Sequence, residues 1–256
     1  MKHSFIDEYS GLDSFVHRLD PRTKLLCSLA FILAVVLTPA GSWKVFAIYM
    51  LIMLGLIWLS QLPFKHVLKR SLVIFPFVIL VVIFIPFFKQ GQVAASYDIG
   101  PWHMAITYEG LAMCASVIAK SWLCILCLIV LSSSTKFEEL LHGMYRLKVP
   151  RVFVQITSFM YRYMFVLADQ AMRMQMARDS RNYGLSRSNI FSTLGNMIGM
   201  LFIRSYERAE RIYAAMLSRG YSGEIIVVNQ PRFRLPDAFF ALSLALLLIC
   251  PAILWW

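Results

Sequence analysis

Asp169-Gln170-Ala171-Met172-Arg173 and Ser180-Arg181-Asn182-Tyr183 recur 38 residues later as Glu207-Arg208-Ala209-Glu210-Arg211 and Ser218-Arg219-Gly220-Tyr221. Both phrases share one offset, so together they form a single internal repeat. Each copy has helical spacing and runs into a glycine-containing turn, at Tyr183-Gly184 and at Gly220-Tyr221-Ser222-Gly223. Arg181 and Arg219 therefore fall in the last turn of a helix, where a cation complements the negative end of the macrodipole. Two arginine-tipped helix ends on one chain suit a partner that presents the same acidic pocket twice, as a two-fold or pseudo-two-fold dimer does.

Outward from the repeat, the chain is too apolar for a soluble domain. Of 256 residues, 59% are hydrophobic and 15% charged, with a mean hydropathy of +0.65. This composition indicates an integral membrane protein. The net charge of +11 then marks cytoplasmic loops and an anionic lipid surface rather than a nucleic acid, which is not expected as a partner.

Asp20-Pro21 opens the first helix, the carboxylate as cap and the proline at the first helical position. Apolar runs over 25–39, 45–59, 72–88, 111–131 and 238–255 predict about five transmembrane helices. Prolines at positions 76 and 86 lie inside the third. A compact basic loop is expected at 65–70 and a polar loop over 90–108. Thr135 and Glu138 have capping-box spacing ahead of a short amphipathic helix. Pro150 then opens a long helix, and Ser186 or Ser188 begins another. Between 132 and 236 there are fifteen Lys or Arg against seven Asp or Glu, and arginines interrupt every apolar stretch. These are amphipathic cytoplasmic helices between the fourth and fifth spans. The expected organisation is four spans in 1–131, an amphipathic region over 132–235 and a fifth span in 236–256. The positive-inside rule places both basic segments, and the N-terminus, in the cytoplasm and the C-terminus outside.

Lys120 sits near the middle of the fourth span, where a charge costs roughly 2.5–3.5 kcal/mol on insertion scales, so it is an intramembrane candidate for function. Snorkelling or a structural pair within the bundle is the alternative. Cys27, Cys114, Cys124, Cys127 and Cys250 lie in apolar runs and read as small buried hydrophobes; the Cys124–Cys127 spacing lacks the second pair a metal site would need. The histidines are scattered, and His3 reads as a solvated tail residue. No P-loop, HExxH, GxSxG or EF-hand pattern occurs. No catalytic residue, metal ligand or cofactor is therefore expected on this chain.

Ser180-Arg181-Asn182 and Ser218-Arg219-Gly220 resemble the paired Ala-Arg-Gly motifs of the transmembrane (T) component of energy-coupling-factor (ECF) transporters. Ile6-Asp7 and the run from His17 through Asp20-Pro21-Arg22-Thr23-Lys24 are similar to the opening of the cobalt-type members, CbiQ. With the apolar spans, the resemblance covers nearly the whole chain. It implies an all-α protein of the plasma (inner) membrane whose coupling helices dock into an ABC-type, CbiO-like ATPase dimer. Ser180, Arg181, Asn182, Ser218, Arg219 and Gly220 would be the docking residues, with Ser in place of Ala in both copies and Asn in place of Gly in the first. ATP and magnesium would belong to the ATPase. The cobalt or nickel ion would belong to a CbiM-like substrate-binding subunit, with a CbiN-like small subunit as a further partner.

Two other readings compete. In the first, an integral-membrane enzyme uses its arginines to bind an anionic lipid or phosphorylated substrate; it would want arginines converging on one pocket beside an acid or metal. In the second, a self-sufficient channel or carrier would want several polar groups in the spans, where Lys120 is nearly alone.

Overall fold

A computed structural model describes residues 14–85, 93–99, 102–181, 187–223 and 235–253. Among these are eight helices and one two-stranded hairpin. They are α1 Pro21–Leu37, α2 Trp43–Leu59, α3 Phe64–Val82, β1 Val93–Ile99, β2 Trp102–Thr107, α4 Tyr108–Ser134, α5 Phe137–Arg146, α6 Arg151–Arg181, α7 Arg187–Leu217 and α8 Leu235–Ile253. The chain divides into two compact units, one of Lys2–Leu147 with Pro231–Trp256, the other of Lys148–Gln230.

In the first unit α1 starts as its sequence dictates. The Asp20 carboxylate accepts from the Arg22 backbone N–H at 3.0 Å, and Pro21 takes the first helical position. The helix stops at Thr38, which turns to extended backbone, its hydroxyl donating to the Ala34 carbonyl at 2.8 Å. Gly41, at φ 105°, makes the tight reversal into α2, a conformation that glycine adopts without steric penalty.

Three local expectations are corrected. The basic segment 65–70 is no loop: Lys65, Lys69 and Arg70 lie in the first turns of α3, which begins directly after Pro63. No helix breaker separates these residues from the apolar run, and long cationic side chains extend outward from a helix as readily as from a loop. The capping box at Thr135 does not form. The N-cap is Lys136, one residue later and without a side-chain cap, while Thr135 is buried with its hydroxyl 3.5 Å from that of Ser134. The expected polar loop gives way to a short β-hairpin, in a described chain that is otherwise helical as expected. Its strands are antiparallel, pairing Ile99 with Trp102 and Tyr97 with Met104; the sequence between them, Gly100-Pro101, has turn chemistry.

By length and apolarity together, one described helix, α4, satisfies what a bilayer crossing requires; Trp43–Leu59 and Leu235–Leu248 are apolar but shorter. Helix α4 is the axis of this unit and packs against α1, α2 and α3. Phe31 and Val35 of α1, Tyr49 and Met53 of α2, Leu123 and Leu126 of α4, and Leu244 of α8 share one buried cluster. Outward, Leu51, Trp58, Phe77 and Leu80 are largely exposed. An apolar core inside an apolar exterior is the pattern of a bundle solvated by lipid. Helix α5, though amphipathic, belongs here too. A Cβ added at Gly143 would meet Leu25 and Pro21 of α1 at 3.2–3.3 Å. This close packing joins α5 to α1 within the first unit.

The second unit is built from α6 and α7, each 31 residues long. The helices run antiparallel. Arg181 lines a cleft with Thr193 near one end, Phe159 lines another with Met216 toward the other end, and the Gln155 side chain donates to the Gly223 carbonyl at 3.1 Å. No described residue of this unit is buried. Phe153, Met176, Phe191, Ile198 and Phe202 are each more than two-thirds exposed or nearly so. An apolar pair of helices without a core of its own is stabilised by what covers it.

Candidate functional site

The second copy of the repeat ends in a complete Schellman motif. The Tyr221 N–H donates to the Met216 carbonyl at 3.0 Å and the Gly220 N–H to the Leu217 carbonyl at 3.0 Å. Gly220 takes φ 81°, the left-handed position that this motif assigns to glycine. Arg219 is then the last residue before the reversal, and it is exposed. The first copy ends α6 at Arg181, also exposed. Ser180 and Ser218 each turn their hydroxyl back onto their own helix, donating at 3.0 Å to Ala177 and Ala215 respectively. The serines thus occupy themselves locally and leave the arginines as the projecting groups. Asn182, the counterpart of Gly220, lies outside the described residues.

Because the helices are antiparallel, their arginine-bearing C-termini point to opposite ends of the pair. At 1.5 Å rise per residue a 31-residue helix separates those ends by ~46 Å. A repeat carried on two antiparallel helices has an approximate two-fold axis between them, so sequence repeat and fold describe one symmetry.

Lys120 is remote from these ends in chain position and has a specific partner. Its ammonium donates to the Val36 carbonyl at 2.9 Å. Val36 is in the last turn of α1, whose carbonyls have no partner within the helix. With Lys24 donating to Ser134 and Cys127 to Ser28, Lys120 forms one of three cross-links along the antiparallel α1–α4 pair.

Residues 13–230 match the CbiQ family, described as cobalt transport protein. The chain belongs to this family. Among its relatives, an uncharacterized protein of Methanocaldococcus jannaschii is 29% identical over 242 residues, covering 93% of this chain and 82% of its own. The energy-coupling factor transporter transmembrane protein EcfT of Clostridium kluyveri is 28% identical over 272 residues, covering 100% and 99%. A Methanocorpusculum labreanum protein named as a fused cobalt transport protein, CbiMQ, is 27% identical over 153 residues, 60% of this chain and 26% of its own. The resemblance read from the arginine motifs and the N-terminal run is thereby established. The chain's relatives include proteins named as ECF transmembrane components.

This CbiQ-family chain also contains a charged cluster that the sequence did not announce. Asp20, Lys24 and Asp237 are 4%, 5% and 3% exposed. The Asp20 N–H donates to Asp237 Oδ1 at 2.9 Å, and Lys24 Nζ donates to the His17 and Ser134 carbonyls at 3.0 and 2.9 Å. The start of α1, the end of α4 and the start of α8 are thus fastened together. Lys24 and Asp20 lie ahead of the apolar run of α1. Burial pulls the Lys24 ammonium down to about 8, against the attraction of Glu139, Asp237 and Asp20. Burial and then the Asp237 charge push the Asp20 carboxyl up, opposed by Arg146 and Lys24. In sequence Asp20 reads only as the cap of the first helix. The available signal was an ionisable residue, Lys24, abutting an apolar run.

Proposed function

We propose that this chain is the coupling subunit of an ECF-type importer for cobalt or nickel, converting the motion of two cytoplasmic ATPases into reorientation of a membrane subunit that holds the ion. The single observation that carries this reading is the pair of exposed arginines, Arg181 and Arg219, at opposite ends of an antiparallel helix pair with no buried residue among those described. Such a pair has one grip for each half of a dimer. ATPase subunits that close and part would pull on Ser180-Arg181-Asn182 at one end and Ser218-Arg219-Gly220 at the other. Rigid helices carry the displacement along their length, and the exposed apolar side chains between the ends supply contact area for the ion-binding subunit.

On this reading ATP and magnesium belong to the ATPase and the transported ion to the binding subunit. The relative whose name joins CbiM and CbiQ in one chain supports a CbiM-like partner. The basic second unit and the first turns of α3 face the cytoplasm with the N-terminus, and α8 carries the C-terminus outward, as the positive-inside rule requires.

The test is co-purification of the ATPase with this chain from native membranes, for wild type, Arg181→Glu, Arg219→Glu and the double variant. The double variant, still inserted, loses the ATPase and ATP-driven metal uptake. Wild type that brings down no ATPase, or a double variant that retains it, overturns the coupling role.

A further inference from the structure

Helices α6 and α7 enclose two clefts, one on each side of the approximate two-fold axis that relates the repeats. The clefts occupy equivalent positions and have opposite chemistry. One is mostly aromatic and aliphatic, with Phe159, Tyr163, Leu167, Ile212 and Met216 among its walls, and it shares Arg208 with the other. The other, of about 720 Å³, is lined by Arg173, Arg178 and Arg181 from α6 and Arg204 and Arg208 from α7, with Asp169 as its acid.

The 38-residue offset shows where the difference arises. Arg178 corresponds to Met216, and Arg204 to Val166. Met216 lines the opposite cleft, whereas Val166 lines the same one as Arg204; Arg173 and Arg181 recur in the repeat as Arg211 and Arg219. Arg178 is bound to Asp179, its Nε and Nη2 both donating to Oδ1 at 2.9 and 2.6 Å. Among the described residues no acid pairs with Arg173, Arg181, Arg204 or Arg208. Gln170 also lines this cleft, and its Oε1 is out of solvent with no donor to satisfy it. A buried amide oxygen without a donor costs about 1–3 kcal/mol.

We propose that this cleft binds a phosphate ester, for which glycerol phosphate is the probe. Guanidinium forks lining one cleft can match phosphate oxygens in pairs. The volume is that of a small-molecule site. The source is either the headgroup of phosphatidylglycerol or soluble glycerol 3-phosphate. Met172, Met176, Ile198 and Phe202, exposed on the same stretches of the two helices, add the apolar contact that an acyl chain makes.

The experiment is native mass spectrometry of the full chain released from nanodiscs of mixed phosphatidylglycerol and phosphatidylcholine, with glycerol 3-phosphate added in a second arm. Wild type retains phosphatidylglycerol over phosphatidylcholine by about tenfold, a difference of about 1.4 kcal/mol. Arg173→Gln/Arg204→Gln/Arg208→Gln loses that preference, and Arg178→Met, which installs the residue of the opposite cleft, weakens it. A charge-matched control, Lys65→Gln/Lys69→Gln/Arg70→Gln, keeps it, and unchanged thermal unfolding certifies that every variant is folded. Retention insensitive to glycerol 3-phosphate assigns the lipid source; displacement by it assigns the soluble one. Equal retention of both lipids with no glycerol 3-phosphate binding, or equal loss in the charge-matched control, overturns the proposal. So does loss of the co-purified ATPase from the Arg173/Arg204/Arg208 variant with lipid retention unchanged, which would give the cleft to an acidic protein segment. The coupling role is read separately, from Arg219→Glu, which lies outside this cleft.

Discussion

The backbone N–H of Asp20 donates to the carboxylate of Asp237 at 2.9 Å, across 217 residues of sequence. This bond fixes where α8 begins relative to α1, because both partners are buried helix-start residues. Asp237→Ala leaves the Asp20 N–H buried without an acceptor, at a cost of about 1–3 kcal/mol. Asp237→Asn keeps an acceptor oxygen in place and costs less. Thermal unfolding of the purified chain is expected to rank wild type above Asp237→Asn above Asp237→Ala. Equal midpoints for Asn and Ala would show that the bond does not fasten α8.

Lys24 is held by two carbonyls from different elements and faces Glu139, Asp237, Asp20 and, beyond Asp20, Arg146. Lys24→Met strips the donor from both carbonyls and the cation from the acids, a loss of about 3 kcal/mol. The loss depends on pH in a definite direction. Burial sets the folded pKa to about 8, below that of the unfolded chain. Above that value the folded chain has shed a proton that the unfolded chain still binds, so the wild type gains stability as pH rises toward the ordinary lysine range. The gap between wild type and Lys24→Met therefore widens above about pH 8, by at most about 1.4 kcal/mol per unit. A gap that narrows over that interval would contradict the assignment.

Lys120 caps α1 through the Val36 carbonyl, an interaction worth about 1 kcal/mol. Lys120→Met lowers the unfolding midpoint slightly and leaves ATP-driven cobalt uptake by the reconstituted complex within about twofold, since one cross-link of three is lost. An order-of-magnitude fall in uptake with an unchanged midpoint would instead make Lys120 part of the transport machinery.

Gly220 has open space where a Cβ would be, yet its φ is 81°, so a substitution there is penalised by backbone alone. Gly220→Val is strongly unfavourable in the left-handed region, whereas Gly220→Asn is tolerated there at a cost of about 1 kcal/mol or less. ATPase co-purification is expected to survive Gly220→Asn and to fall with Gly220→Val, through fraying of the turn that presents Arg219. The Asn result also bears on Asn182, which is the natural residue of the first copy. Equal recovery with Val and Gly would show that the Schellman turn does not position the arginine.

Periodicity, caps and charge bias are local, and they sufficed for much of this protein. Asp20-Pro21 starting α1, Gly41 turning into α2, Pro150 preceding α6 and the glycine stop after Arg219 are each decided within a few residues, so the sequence determined them alone. The repeat and the N-terminal run were likewise enough to identify the family. What a short window cannot contain is a partner far along the chain. The Asp20–Asp237 bond, the Lys24 link to Ser134 and the Val36 carbonyl that receives Lys120 each join residues more than eighty positions apart. They exist because tertiary packing brings helix ends with unmet hydrogen-bonding groups side by side. The two clefts follow the same logic. Each helix alone reads as a mixed amphipathic stripe, and only the antiparallel pairing sorts those residues into one basic and one apolar enclosure.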